Sequence, residues 1–174
     1  MLENKAENIL ARLNEYALSG KMVKIKRKIA YREYIYGFVQ DYSEQLIVLL
    51  HFHGFYCQGY SIIRLSDVLE IISTEHEEAY KKLLESKNLL DQSGYDIKVP
   101  IEYLRSTLCY FAESRKFLIF ECESMNDPDG DEYYSGEISR LDEESIWITG
   151  LDCRGERDEE SETIKINDIT LVQF

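Results

Sequence analysis

Two histidines and a cysteine, His51, His53 and Cys57, come closest to the spacing of a metal site. Alternation along a strand would place both imidazoles on one face, and a cysteine four residues further along could approach them. Zinc would still need a fourth ligand or an open water position. A similar stretch later in the chain has Gly150 and Asp152 at the corresponding positions. We therefore expect solvated histidines on a strand and no metal site.

An acidic run over residues 127–132 raises the question of a calcium-binding loop. An EF-hand loop needs Gly at its sixth position and Glu at its twelfth. Counted from Asp127, those positions hold Glu132 and Ile138. The Pro-Asp-Gly run inside this segment instead favours a tight turn between two strands. The sequence also contains no glycine-rich phosphate loop, nucleophile elbow or H-E-x-x-H motif. We expect no catalytic residues, no cofactor and no enzymatic activity.

Basic and aromatic side chains interleave early in the chain. Lysines of this kind can follow phosphates while tyrosine rings stack on bases. The alternative is a strand with one wet, charged face, whose tyrosines bury their rings and keep their hydroxyls solvated. The formal net charge of −13 opposes binding to nucleic acid. The candidate nucleic-acid contacts are Lys24, Lys26, Lys28, Tyr31, Tyr34 and Tyr36.

Two other groups of residues point to a protein partner. If Ile47 and Leu49 face an interior, then Leu46, Val48 and Leu50 face outward, and something must cover them. Cover from the same chain is favoured over cover from a second one. The charged run 154–162 predicts a solvated loop, in which Asp158, Glu159 and Glu160 offer an acidic surface to a basic partner.

Charge and cysteine content limit the remaining possibilities. Residues 21–72 hold seven Lys/Arg and five Asp/Glu, whereas residues 116–174 hold five and seventeen, so the two regions differ sharply in surface charge. The cysteines at 57, 109, 122 and 153 form no C-x-x-C pair, which is typical of reduced thiols. No signal peptide or membrane-spanning segment is visible, and we expect a cytoplasmic protein.

The chain repeats a β-rich pattern about 100 residues apart. The segment 63–71 matches 164–172, with Asp67 and Asp168 at the same place, and Gly37 matches Gly136 upstream. We expect both aspartates to fix turns between strands by accepting local backbone N–H bonds. Helical spacing predicts a first helix over 2–18, a second after the capping box that begins at Thr74, and a third starting near Pro100.

These repeated segments resemble small barrels of the Sm-like and Src-homology type. Gly37, Val39 and Tyr42 are similar to the first Sm motif, and the run from Ile63 through Arg64 to Val68 is similar to the second. Ser43 stands where the first motif has Asp, and Leu65 and Ile166 replace the Gly of the second motif. The resemblance therefore implies the barrel and not the RNA-base pocket.

The whole chain also resembles an uncharacterised bacterial family with the same Gly-Phe-Val-x-Asp-x-Ser and Ile-Arg-x-x-Asp-Val runs, here starting at Gly37 and Ile63. The predicted fold is α+β, with two pseudo-repeated five-stranded Sm-like small barrels. An N-terminal helix and the first barrel occupy 1–72, a two-helix linker 73–115, and an acidic second barrel 116–174. The predicted function is non-catalytic binding or scaffolding of a protein partner, with RNA or single-stranded nucleic acid as the alternative ligand.

Overall fold

The computed structural model describes residues 2–28, 34–90, 98–123, 132–151 and 154–174. In these ranges the chain forms three α-helices and ten strands. The helices are α1 (Leu2–Ser19), α2 (Glu75–Ser86) and α3 (Leu104–Ser114). The strands are β1 (Met22–Arg27), β2 (Tyr34–Tyr42), β3 (Leu46–His53), β4 (Tyr56–Arg64), β5 (Val68–Ile72), β6 (Leu118–Cys122), β7 (Glu132–Leu141), β8 (Ser145–Thr149), β9 (Glu162–Lys165) and β10 (Leu171–Gln173).

All ten strands belong to one antiparallel, open sheet, in the order β5-β1-β2-β3-β4-β10-β6-β7-β8-β9. The prediction of two closed five-stranded Sm-like barrels is therefore wrong. The reason lies in β10, which pairs with β6 on one side and with β4 on the other. Leu171 lies opposite both Ile63 and Glu121. The last strand therefore joins the first half of the sheet, β1 to β5, to the second half, β6 to β9, instead of closing either half into a barrel.

Local structure recurs in the two halves of this sheet. The register shifts within β2 at Val39/Asp41 and within β7 at Ile138/Arg140. A short 3₁₀ turn precedes β5 at Leu65–Asp67, and another precedes β10 at Ile166–Asp168. The matching stretches of sequence thus fold into matching local geometry within one continuous sheet.

Strand β3 is buried on both of its faces. Ile47 and Leu49 pack with α1 in one core, which also contains Leu13 and Val23. Alternate residues of β3 pack on the other side, in a second core that includes Leu84 of α2, Phe111 of α3, and Phe120 and Ile146 of the second half. The helices therefore lie against a sheet whose two faces are both apolar here.

The helix boundaries follow from their caps. The predicted capping box at the start of α2 is confirmed, because Thr74 accepts from the His76 amide while the Glu77 carboxylate accepts from the Thr74 amide at 2.9 Å. Helix α3 starts at Leu104, four residues later than Pro100, so that predicted start is wrong. The Ser106 hydroxyl caps α3 by accepting from the amide of Tyr103.

Polar contacts also cross between the halves. Arg27 of β1 donates to Glu123, just after β6, in an ion pair whose side chains are each 2% exposed. Arg64 of β4 donates to the carbonyl oxygens of Ile166 and Ile169. Burial lowers the pKa of Arg64, and the nearby carboxylates of Asp67 and Asp168 act in the opposite direction.

Candidate functional site

The β1–β2 pairing brings two of the predicted lysines against two of the predicted tyrosines. Lys24 lies opposite Tyr36, and Lys26 lies opposite Tyr34. Directly opposed residues share a face of the sheet, so these four half-buried side chains form one group. The Lys24 ammonium lies 3.7 Å from the centre of the Tyr34 ring and 5.9 Å from that of Tyr36. The Lys26 ammonium lies 5.8 Å from the Tyr34 ring.

The other two members of the predicted basic and aromatic set are not part of this group. Lys28 is exposed, and its ammonium donates to the carbonyl oxygen of Ser66. The β1–β5 register shifts between Lys26 and Arg27, just before Lys28, whose amide then bonds to the carbonyl oxygen of Asp67. Tyr31 lies outside the described residues. The structure thus separates Lys28 from the group formed by Lys24, Lys26, Tyr34 and Tyr36.

A cavity of about 570 Å³ opens beside the same tyrosines, between β2, β3 and α2. Its size falls in the range of about 300–1,000 Å³ that is usual for ligand-binding pockets. None of the side chains that line it is an aspartate, glutamate, lysine or arginine. We call it the aromatic cavity, and it is lined by Tyr34, Tyr36, His51, Phe52, His53, Gly54, His76, Ala79, Tyr80 and Leu83.

Tyr80 of α2 lines the aromatic cavity and contacts two other aromatic rings. Its ring makes edge contacts with Tyr36, at 6.0 Å between ring centres, and with Phe55, at 6.3 Å. Its hydroxyl oxygen is buried without a hydrogen-bond partner in the described part of the chain. Burial, and then the neighbouring Tyr36, raise the pKa of Tyr80.

All three histidines of the chain line the aromatic cavity. His51 and His53 lie on β3, as predicted, where His53 is exposed and His51 is half-buried. The Nδ1 atom of His51 lies 3.0 Å from the Ser61 hydroxyl. Cys57 lies opposite Phe52 on the neighbouring strand, and not opposite either His51 or His53. Across the described ranges, no group of three His, Cys, Asp or Glu side chains is arranged to hold a metal ion.

The three aliphatic residues predicted to face a partner are in the interior. Leu46 is 1% exposed, and Val48 and Leu50 are 4% exposed each. They pack against side chains of α2, α3 and the second half of the sheet. Cover from within the same chain, which the sequence favoured, is what the structure shows. These three side chains are therefore not on the surface.

The acidic loop and the repeated aspartates have different surroundings. Asp158, Glu159 and Glu160 are all exposed, as a surface for a basic partner requires.

Asp67 does not accept the backbone N–H bonds expected of it, and its Oδ2 atom is buried without a partner in the described residues. Its carboxylate instead lies within electrostatic range of Arg64, which belongs to the segment that resembles the second Sm motif.

Comparison with known proteins does not identify a family, because no family model, curated protein or solved structure matches this chain. The described helices include none that is long and apolar enough to cross a membrane.

Proposed function

We propose that this protein is a non-catalytic binding module, and that it recognises another protein by taking an apolar side chain of that partner into the aromatic cavity. The observation that carries this proposal is the lining of the cavity, which combines four aromatic rings of Tyr and Phe with Ala79 and Leu83, beside three histidines and without any Asp, Glu, Lys or Arg. Large apolar anchors that fill desolvated pockets supply most of the affinity of many protein interfaces.

Exposed apolar groups next to the cavity support the same proposal. Leu83, a lining residue, is 41% exposed, and Phe55, which contacts Tyr80, is 52% exposed. Tyr56, the next residue, is 75% exposed. Contiguous apolar surface of this kind is costly in water and is typical of interaction sites. The compartment we propose is the cytoplasm, since Cys57, Cys109 and Cys122 are all unpaired.

The test is to block the cavity without disturbing the core. Ala79 is exposed on α2 and lines the cavity, so Ala79→Phe adds a ring to the binding space. Glu78→Phe adds the same ring at an exposed position of α2 that does not line the cavity. Proteins captured from nuclease-treated bacterial lysate by the wild type and by Glu78→Phe should be lost with Ala79→Phe. Capture of the same proteins by Ala79→Phe would refute the proposal.

A second candidate is binding of RNA or another single strand by Lys24, Lys26, Tyr34 and Tyr36. The close approach of the ammonium groups to the rings favours it, because a strand that stacks on tyrosine would bring its phosphates near both lysines. Fluorescence anisotropy with a labelled oligonucleotide would test it. Affinity should fall steeply as salt rises, whereas binding through an apolar anchor in the cavity should depend on salt much less.

A further inference from the structure

We infer that the partner segment carries an acidic side chain next to its apolar anchor, with the anchor in the aromatic cavity and the carboxylate on Lys24. This inference rests on the proposed function and adds a requirement on the chemistry of the partner.

The argument begins with the two lysines beside the cavity. The ammonium groups of Lys24 and Lys26 form no ion pair within the described part of the chain. The contacts they make there are with tyrosine rings. The Lys24 ammonium lies over the Tyr34 ring and near the Tyr36 ring, and because both rings line the cavity, we infer that this ammonium lies beside the cavity. A cation held over aromatic rings in this way is still able to bind a carboxylate.

None of the described carboxylates near these lysines forms an ion pair with them. Glu70 lies opposite Lys26 on β5, without an ion pair between them. Glu75 and Glu78 are exposed on α2, and neither lines the cavity. Among the described residues, therefore, no carboxylate is paired with Lys24, and its ammonium group is available to an anion although the whole chain carries a net charge of −13. An apolar floor with a cation at its edge is complementary to an apolar side chain that has an anion beside it.

The experiment selects binders from a displayed library of random peptides. The baits are the wild type, Lys24→Glu, Lys82→Glu and Ala79→Phe. Lys82 is exposed on α2 outside the cavity, so Lys82→Glu makes the same charge change away from the cavity. Thermal unfolding of each variant checks that it is folded. The strongest peptide is then synthesised, and its affinity for every bait is measured.

We expect the wild type and Lys82→Glu to enrich peptides with Asp or Glu close to an aromatic or large aliphatic residue. Lys24→Glu should bind the synthesised peptide at least about tenfold more weakly, and Ala79→Phe should not bind it. Apolar peptides without an acidic preference, bound equally by Lys24→Glu and lost with Ala79→Phe, would overturn this inference and leave the proposed function standing. Peptides that bind Ala79→Phe as well as the wild type, or an absence of enriched peptides, would overturn both.

Discussion

The buried ion pair between Arg27 and Glu123 should make a large, asymmetric contribution to stability. The Arg27 Nη2 atom lies 2.8 Å from Glu123 Oε1 and 2.7 Å from Oε2. The hydroxyl of Thr170 lies 2.9 Å from the same carboxylate and 2.9 Å from the carbonyl oxygen of Glu121, so its one proton is shared between these two acceptors. The Nε and Nη1 atoms of Arg27 are buried and have no partner in the described residues. Removing Glu123 therefore leaves a buried cation with no partner among the described residues, whereas removing Arg27 leaves Glu123 the shared hydroxyl proton of Thr170.

From this geometry, Glu123→Leu should lower the free energy of unfolding by about 3–5 kcal/mol. Arg27→Met should cost less, about 2–3 kcal/mol, because the remaining carboxylate keeps a charge-assisted hydrogen bond. For a chain of this length, the larger loss corresponds to a fall in Tm on the order of 10 °C. The double variant should recover to within about 1 kcal/mol of the wild type, since apolar side chains of similar volume can replace a buried pair.

The assay is urea unfolding of the wild type, both single variants and the double variant, analysed as a double-mutant cycle. Glu15→Gln is the matched control, because Glu15 forms an exposed pair with Lys21 that is worth at most about 1 kcal/mol. A cost for Glu123→Leu equal to that of Glu15→Gln would refute the reasoning. So would a double variant whose loss equals the sum of the two single losses.

Two further predictions concern backbone packing and pH. A Cβ atom added at Gly37 would lie 2.4 Å from the carbonyl oxygen of Leu50, and one added at Gly136 would lie 2.3 Å from the carbonyl oxygen of Thr149. Either Gly→Ala change should therefore lower the free energy of unfolding in urea by about 1–3 kcal/mol, and unchanged midpoints would contradict this. Burial opposes ionisation of Glu77, but hydrogen bonds from the Thr74 hydroxyl and amide outweigh it and lower the pKa of Glu77. Its stabilising contribution should be complete above the ordinary carboxyl pKa of about 4.3 and be lost as the pH falls through the lowered value. Thr74→Ala should weaken that dependence when urea midpoints are compared at neutral and acidic pH, and an identical pH profile would contradict the assignment.

Short-range patterns predicted most of the elements, because alternation and capping are local properties. The capping box that begins at Thr74 predicted α2, which starts at the next residue. The pairing of β10 could not be predicted in this way. Its three residues are compatible with a barrel-closing strand, and nothing local indicates that Leu171 has Ile63 as a neighbour.

The site was predictable to a similar extent. Two strands joined as a hairpin place Lys24 and Lys26 beside tyrosines, and the sequence indicated both residue types. Nothing in the sequence indicates the register shift that separates Lys28 from Lys24 and Lys26. The aromatic cavity was missed because His76 and Tyr80 come from α2, whose orientation against β2 and β3 depends on long-range packing. Their helical spacing was visible, but which strands they would face was not.

The position of β10 has a consequence for the order in which the protein folds on the ribosome. The edge of β4 is made early in synthesis, yet the strand that pairs with it is translated about a hundred residues later. Until then, the nascent chain presents an unpaired edge that carries Ile62 and Ile63, the kind of edge that recruits other strands. Long-range pairing of this kind slows folding and favours association between incomplete chains. Residues 171–173, the smallest strand of the sheet, therefore decide how long each new molecule is exposed to aggregation.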